Sequence, residues 1–171
     1  MIGLNIRLAL VILFIVFIIA GSLIVLELNR NVVINPYKKY IVTKKIDDWQ
    51  VTCSLVPENI FSNQNFEVTA TAKYLGTRTY RVYVVSPIAP EIIVRSASNG
   101  SVAYSVIVPS VTRLETIKPG TTYNFSVVIG PNSSFAKHTF TPGKYIVEVK
   151  MVIPVSNSTG GISVYLKLNV R

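Results

Sequence analysis

Apolar and polar residues alternate with a period of two along most of the chain beyond residue 48. In NFEVTATAKY, Phe66, Val68, Ala70, Ala72 and Tyr74 share one face, while Glu67, Thr69, Thr71 and Lys73 take the other. Successive side chains of a strand point to opposite sides of a sheet, so this pattern predicts a half-buried strand. TTYNFSVVI repeats it, with Tyr123, Phe125, Val127 and Ile129 inward and Asn124 outward. GKYIVEVKM sets Tyr145, Val147, Val149 and Met151 against Lys144, Glu148 and Lys150. GISVYLKLNVR sets Ile162, Val164, Leu166, Leu168 and Val170 against Ser163, Lys167, Asn169 and Arg171. WQVTCSLV, TYRVYVV, EIIVRS and VAYSVIV read as weaker strands. Turn residues separate the runs, among them Asn63-Gln64-Asn65, Gly76, Asn99-Gly100, Pro119-Gly120, Pro142-Gly143 and Gly160-Gly161. Seven to nine short strands so punctuated predict an all-β protein, an antiparallel immunoglobulin-like β-sandwich. The Cys…Trp…Cys hallmark is missing, which leaves the topology within the sandwich class open.

Residues 8–28, LALVILFIVFIIAGSLIVLEL, break this pattern with an apolar run whose only ionisable residue is Glu27. As a helix it would reach about 31 Å, the thickness of a bilayer's hydrocarbon core. Apolar residues fill every face, which disfavours both a surface-lying helix and a core helix of a soluble domain. Ala20-Gly21-Ser22 offers a small-residue cleavage site, but the run continues past it and exceeds a signal peptide's usual length. The expected organisation is a short tail over 1–7, a transmembrane anchor over 8–28, a basic connector over 29–48 and a β-sandwich domain over 49–171. The connector has room for one short strand. Its charge suits lipid headgroups or a solvated spacer.

Two signals disagree about sidedness. Arg30, Lys38, Lys39, Lys44 and Lys45 follow the anchor while Arg7 precedes it, a bias that would hold the domain in the cytoplasm. Against this stand four glycosylation sequons, at Asn99, Asn124, Asn132 and Asn157. With 8 carboxylates the chain has few groups whose native contacts acid would break. Its one cysteine permits no internal disulfide. An exterior glycoprotein without disulfides suggests an archaeal cell surface. The β domain is therefore expected outside, on a single-pass chain in the cell membrane.

Counting residues removes most catalytic constellations. One histidine, His138, and one cysteine, Cys53, cannot build a blue-copper site, and zinc would lack ligands. No metal or bound cofactor is expected. His138 sits in the polar stretch NSSFAKHTF with no matching acid or nucleophile, and reads as a surface histidine. No Gly-rich loop follows a strand and opens a helix, and the acids are scattered rather than paired. Cys53 shares a face with Val51 and Leu55, the position of a buried apolar cysteine. As a minor catalytic candidate it would be a thiol made acidic by Lys44 and Lys45. The net charge of +9 is not interleaved with aromatics along one strand, which argues against nucleic acid. Small anions, anionic lipids or sulfated glycans suit it better.

At FEVTATAKYLGTRTYRVYVV and FTPGKYIVEVKMV the chain resembles the small, DoxA-type subunit of archaeal thiosulfate:quinone oxidoreductase. The matching motifs are Gly76-Thr77-Arg78-Thr79-Tyr80 and Pro142-Gly143-Lys144-Tyr145, within residues 50–153. Arg78 stands where the family pattern has an acidic residue. The resemblance implies an exterior subunit that works with a multi-span membrane subunit, oxidising thiosulfate to tetrathionate and passing electrons to quinone. Arg78 and Arg81, which flank Tyr80, would then receive the thiosulfate dianion. The rival expectation is a non-catalytic archaeal cell-surface protein of immunoglobulin-like fold that binds the S-layer or a surface filament. A BsuPI-type peptidase inhibitor is a third, resting on the Pro-Gly-x-Tyr strand alone.

Overall fold

The structure, a computed structural model, describes residues 38–86, 90–107, 111–155 and 158–171. The expected anchor and Asn157 lie outside these residues. Among the described residues no helix is long and apolar enough to cross a membrane.

The described chain is all β. In order the strands are β1 (Tyr40–Ile46), β2 (Trp49–Val56), β3 (Asn59–Ile60), β4 (Phe66–Tyr74), β5 (Tyr80–Ser86) and β6 (Glu91–Ser96). There follow β7 (Val102–Val106), β8 (Val111–Ile117), β9 (Thr122–Gly130), β10 (Ala136–Lys137), β11 (Gly143–Val155) and β12 (Ser158–Val170). One five-stranded sheet has the order β1-β2-β4-β9-β10 and a second has β3-β12-β11-β6-β7. Most neighbours are antiparallel; β9–β10 and β3–β12 are parallel.

The period-two faces meet between the sheets. Val51, Cys53, Leu55, Phe66, Val68, Ala70 and Ala72 of the first sheet are buried, with Tyr145, Val147, Val149 and Met151 of the second. Ile162, Val164, Leu166, Leu168 and Val170 complete that layer. Each buried Val, Leu, Ile, Phe or Met among them stabilises the fold by roughly 1.5–3 kcal/mol relative to exposure, which is why the alternation dictates strand faces. Several outward residues of the first sheet are small and polar and bond across strands. Thr43 and Thr52 hydroxyls lie 3.0 Å apart, Ser54 and Thr69 hydroxyls 2.6 Å, and Thr71 donates to Asn124 Oδ1 at 3.0 Å.

Residues 40–46 form an edge strand paired along its whole length with β2, so the domain begins inside the basic connector. Lys44 explains why this strand is weakly written. It occupies an inward position opposite Val51, yet its Nζ reaches the edge of the second sheet, donates to Ser163 O at 2.7 Å and lies over the Tyr165 ring. The strand count also exceeds expectation, because β8 and the two-residue β3 and β10 carry no clean alternation.

Strands β5 and β8 form a two-stranded ribbon outside both sheets. The chain crosses from β4 in the first sheet to β6 in the second through β5, and returns from β7 to β9 through β8. The two crossovers pair with each other from Tyr80↔Ile117 to Ser86↔Val111.

A candidate binding cleft

Four chain segments meet at the end of the sheets remote from Tyr40. The β1–β2 hairpin turns there at Asp47-Asp48, with Asp47 at φ 48°, a left-handed conformation that Asp tolerates better than most residues. Leu75 N donates to Asp48 O at 2.6 Å, Tyr74 N to Thr121 O at 2.9 Å and Gly120 N to Tyr74 O at 3.2 Å. These bonds fix the end of β4 between the hairpin and the turn that precedes β9. Tyr80, at the start of the ribbon, donates its hydroxyl to Pro154 O of β11 at 2.8 Å.

The segments enclose a cleft of about 380 Å³ lined by Asp47, Asp48, Trp49, Tyr74, Arg78, Thr79 and Tyr80. Its floor is aromatic. The Trp49 and Tyr74 rings lie 5.3 Å apart and tilted, and Tyr74 meets Tyr80 edge-on at 5.6 Å. Behind them Tyr123 stacks on Trp49 at 5.9 Å. Burial raises the Tyr80 phenol above its ordinary pKa. Trp49 is 1% exposed, and its Nε1 has no acceptor among the described residues.

Asp47, Asp48, Arg78 and Thr79 are all exposed on the rim. No ion pair joins Arg78 to either aspartate among the described residues. The cleft therefore offers two carboxylates and one guanidinium that are free to turn toward a guest.

Gly76 has a steric reason. A Cβ there would run into Cζ and Oη of the buried Tyr74 ring, so only glycine lets the chain pass over the cleft floor. Of the two arginines singled out in the sequence, Arg78 lines the cleft and Arg81 does not. Arg81 is opposite Thr116 on the solvent side of the ribbon, whereas Tyr80, Val82 and Val84 face inward. The two are not brought to one site.

Cys53 is fully buried between β1 and β4, opposite Val42 and Ala70. Burial pushes its thiol up to about 12, and the charge of Lys44 only partly offsets this. The thiolate is the reactive form. Native protein is therefore expected to leave Cys53 unmodified by a thiol-specific disulfide reagent near neutral pH, with one equivalent consumed on unfolding. Rapid native labelling would show that the pocket around it opens.

His138 is half-buried in an aromatic cluster rather than on a free surface. Its ring stacks on Tyr104 at 4.6 Å and meets Phe140 edge-on at 4.4 Å, because Phe140 is drawn into the core beside Phe66 and Tyr145. Desolvation lowers its pKa from 6.5. Between that lowered value and 6.5 the unfolded chain binds a proton that the folded chain does not. Stability therefore falls with pH through this window and levels off below it. Urea midpoints of wild type and His138→Phe, compared between about pH 7 and about pH 5, are expected to show a smaller acid loss in the variant. Equal losses would remove His138 from the acid response.

Three sequon asparagines are exposed on the domain. Asn99 Oδ1 accepts from Ser101 N at 3.1 Å and from its Oγ at 2.8 Å; Asn124 lies within β9, opposite Thr71 of β4; Asn132 follows β9. Among the described residues no group of three or more His, Cys, Asp or Glu is placed to hold a metal ion.

No family model matches the sequence. No curated protein matches it either. Among solved structures, a β-glucosidase from Erythrobacter marinus aligns at TM-score 0.39 and 12% identity, over 75% of this chain and 16% of its own. The β-glucosidase of Listeria innocua in complex with isofagomine aligns at TM-score 0.39 and 13% identity, over 74% and 16%. A structural-genomics target aligns at TM-score 0.32 and 17% identity, over 77% and 82%. The chain spans about 16% of the length of the glucosidases. Likenesses this distant bear on neither topology nor activity.

The sequence reading missed Asp47, Asp48, Trp49 and Tyr74 as cleft residues. Asp-Asp between two strand patterns was a signal for a hairpin turn, but the domain boundary drawn at residue 49 cut through it.

Proposed function

We propose that this chain is a membrane-anchored exterior domain of immunoglobulin-like topology that binds a partner at the cell surface, the S-layer or a surface filament. The observation that carries this reading is the cleft itself, whose rim exposes Asp47, Asp48 and Arg78 with no ion pair among them in the described residues. The immunoglobulin-like assignment is supported by β3, which follows β2 in the chain but pairs parallel to β12 in the other sheet. The exterior assignment is supported by the exposure of Asn99, Asn124 and Asn132.

A second reading keeps the thiosulfate:quinone oxidoreductase resemblance, with thiosulfate brought to a multi-span, quinone-reactive subunit. It is favoured by one observation: the Gly-x-x-Thr-Tyr segment supplies Arg78, Thr79 and Tyr80 to the cleft wall. The charge in that cleft weighs against it, since a dianion would face two carboxylates and one guanidinium.

Both readings are tested by mild solubilisation and affinity capture of the full chain. Recovery of S-layer or filament proteins supports the first. Recovery of a multi-span subunit with thiosulfate-dependent quinone reduction replaces it by the second. Protease added to intact cells is expected to digest the β domain, and its full protection would end the exterior assignment.

A further inference from the structure

The two sheets turn different faces outward. On the first, Thr43, Thr52, Thr71 and Asn124 bond one another across strands. On the second, lysines stand among large apolar side chains: Lys144, Ile146 and Val152 of β11 and Tyr165 and Lys167 of β12 are exposed. Register fixes their neighbours. Ile146 is opposite Lys167 and Lys144 is opposite Asn169. Lys144 and Lys167 are therefore diagonal neighbours about 7–8 Å apart, both beside Ile146. Tyr165 comes next along β12, and Lys44 Nζ lies 5.4 Å from its ring centre.

The carboxylates of this face are already engaged. Glu148 pairs with Arg95 at 3.5 Å and Glu91 with Lys150 at 3.7 Å. Lys44, Lys144 and Lys167 form no ion pair among the described residues. The face is thus net positive, with Ile146, Val152 and Tyr165 38%, 39% and 52% exposed. A small anion or a soluble polyanion would use the lysines and leave these three side chains in water. A bilayer surface uses both, since lysines reach lipid phosphates while tyrosine and aliphatic side chains enter the headgroup zone. The described chain starts at Lys38, and residues 29–37 join it to the apolar run over 8–28. A link of that length reaches at most about 30 Å, so an anchored domain meets lipid at high effective concentration.

We propose that the outer face of β11 and β12 docks on an anionic lipid surface, with Lys144 and Lys167 on lipid phosphates and Ile146 and Tyr165 among the headgroups. This rests on the reading of the chain as membrane-anchored.

The experiment reconstitutes the full chain into phosphatidylcholine vesicles with and without phosphatidylglycerol. A membrane-impermeant amine-acylating reagent is applied briefly, and the rate at each lysine is read by peptide mass spectrometry. Lys73, exposed on β4 of the first sheet, is the internal reference. Relative to Lys73, labelling of Lys144 and Lys167 is expected to slow at least about fivefold on the anionic vesicles, the preference that one lysine gains at such a surface. High salt should restore it. Ile146→Glu sets a negative charge against the lipid, and in that variant the ratios should be the same on both kinds of vesicle. Circular dichroism checks that the variant is folded. Wild-type ratios unchanged by phosphatidylglycerol overturn the proposal, and so does protection of Lys73 in place of Lys144 and Lys167. If dextran sulfate added to neutral vesicles protects the two lysines where phosphatidylglycerol does not, a soluble polyanion replaces the lipid. Flotation tests the anchor separately. A chain that leaves neutral vesicles loses the anchor, and docking then requires that it still float with anionic ones; floating with neither overturns both.

Discussion

Replacing Trp49 by alanine is expected to cost about 3–5 kcal/mol of unfolding free energy, the range for deleting a large buried aromatic. Trp49 opens β2 and stands opposite Ile46 on one side and Tyr74 on the other. Its ring packs between Tyr74 and Tyr123, so removal leaves a cavity that two strands cannot close without losing their pairing. Trp49→Phe keeps most of the volume and an aromatic ring against Tyr74 and Tyr123. Its cost is expected to stay below about 1.5 kcal/mol. Urea unfolding followed by circular dichroism measures both. A loss under about 1 kcal/mol in Trp49→Ala would mean that the cleft floor is not part of the core.

Gly76→Ala is expected to cost about 1–3 kcal/mol and to distort the cleft in the same step. The added methyl group meets the far end of the Tyr74 ring, and that ring is 3% exposed with Trp49 and Tyr80 against it. It can move only by tilting the floor. Gly161→Ala is the control. It has no neighbour within 4 Å of the new atom and no left-handed φ. Alanine there should be neutral or slightly stabilising, since it reduces the freedom of the unfolded chain. Equal effects at the two positions would show that the Tyr74 contact carries no weight.

The fold was legible where burial is one-sided. Phe66 to Tyr74, Tyr145 to Met151 and Ile162 to Val170 put their apolar residues inward as the alternation requires, because a slip of one residue would expose a whole face. WQVTCSLV and EIIVRS coincide with β2 and β6 for the same reason. Legibility failed where a strand is not half-buried. In β8, Leu114 is exposed while Glu115 turns inward to accept from Tyr123 and Arg113, so its polar pattern inverts the usual one. In β1 Lys44 bonds the edge of the second sheet from an inward position, so a charge stands where the alternation would have an apolar residue. The cleft was half visible. Arg78 stood out by its motif, but its partners come from a hairpin more than 25 residues earlier, and period-two reading has no means of joining the two.

The ribbon of β5 and β8 has a dynamic consequence. Of its side chains Val84 and Ile117 are buried, whereas Tyr83 and Leu114 are largely exposed. A two-stranded ribbon with so little apolar anchorage has weak independent stability. Its amides are therefore expected to exchange with deuterium well ahead of those in β11 and β12, through a local opening that leaves the two large sheets paired. Because Tyr80 belongs both to this ribbon and to the cleft wall, a guest in the cleft would have to hold the ribbon closed. Its binding free energy would then appear as slowed exchange along the crossovers, up to the far end at Ser86 and Val111.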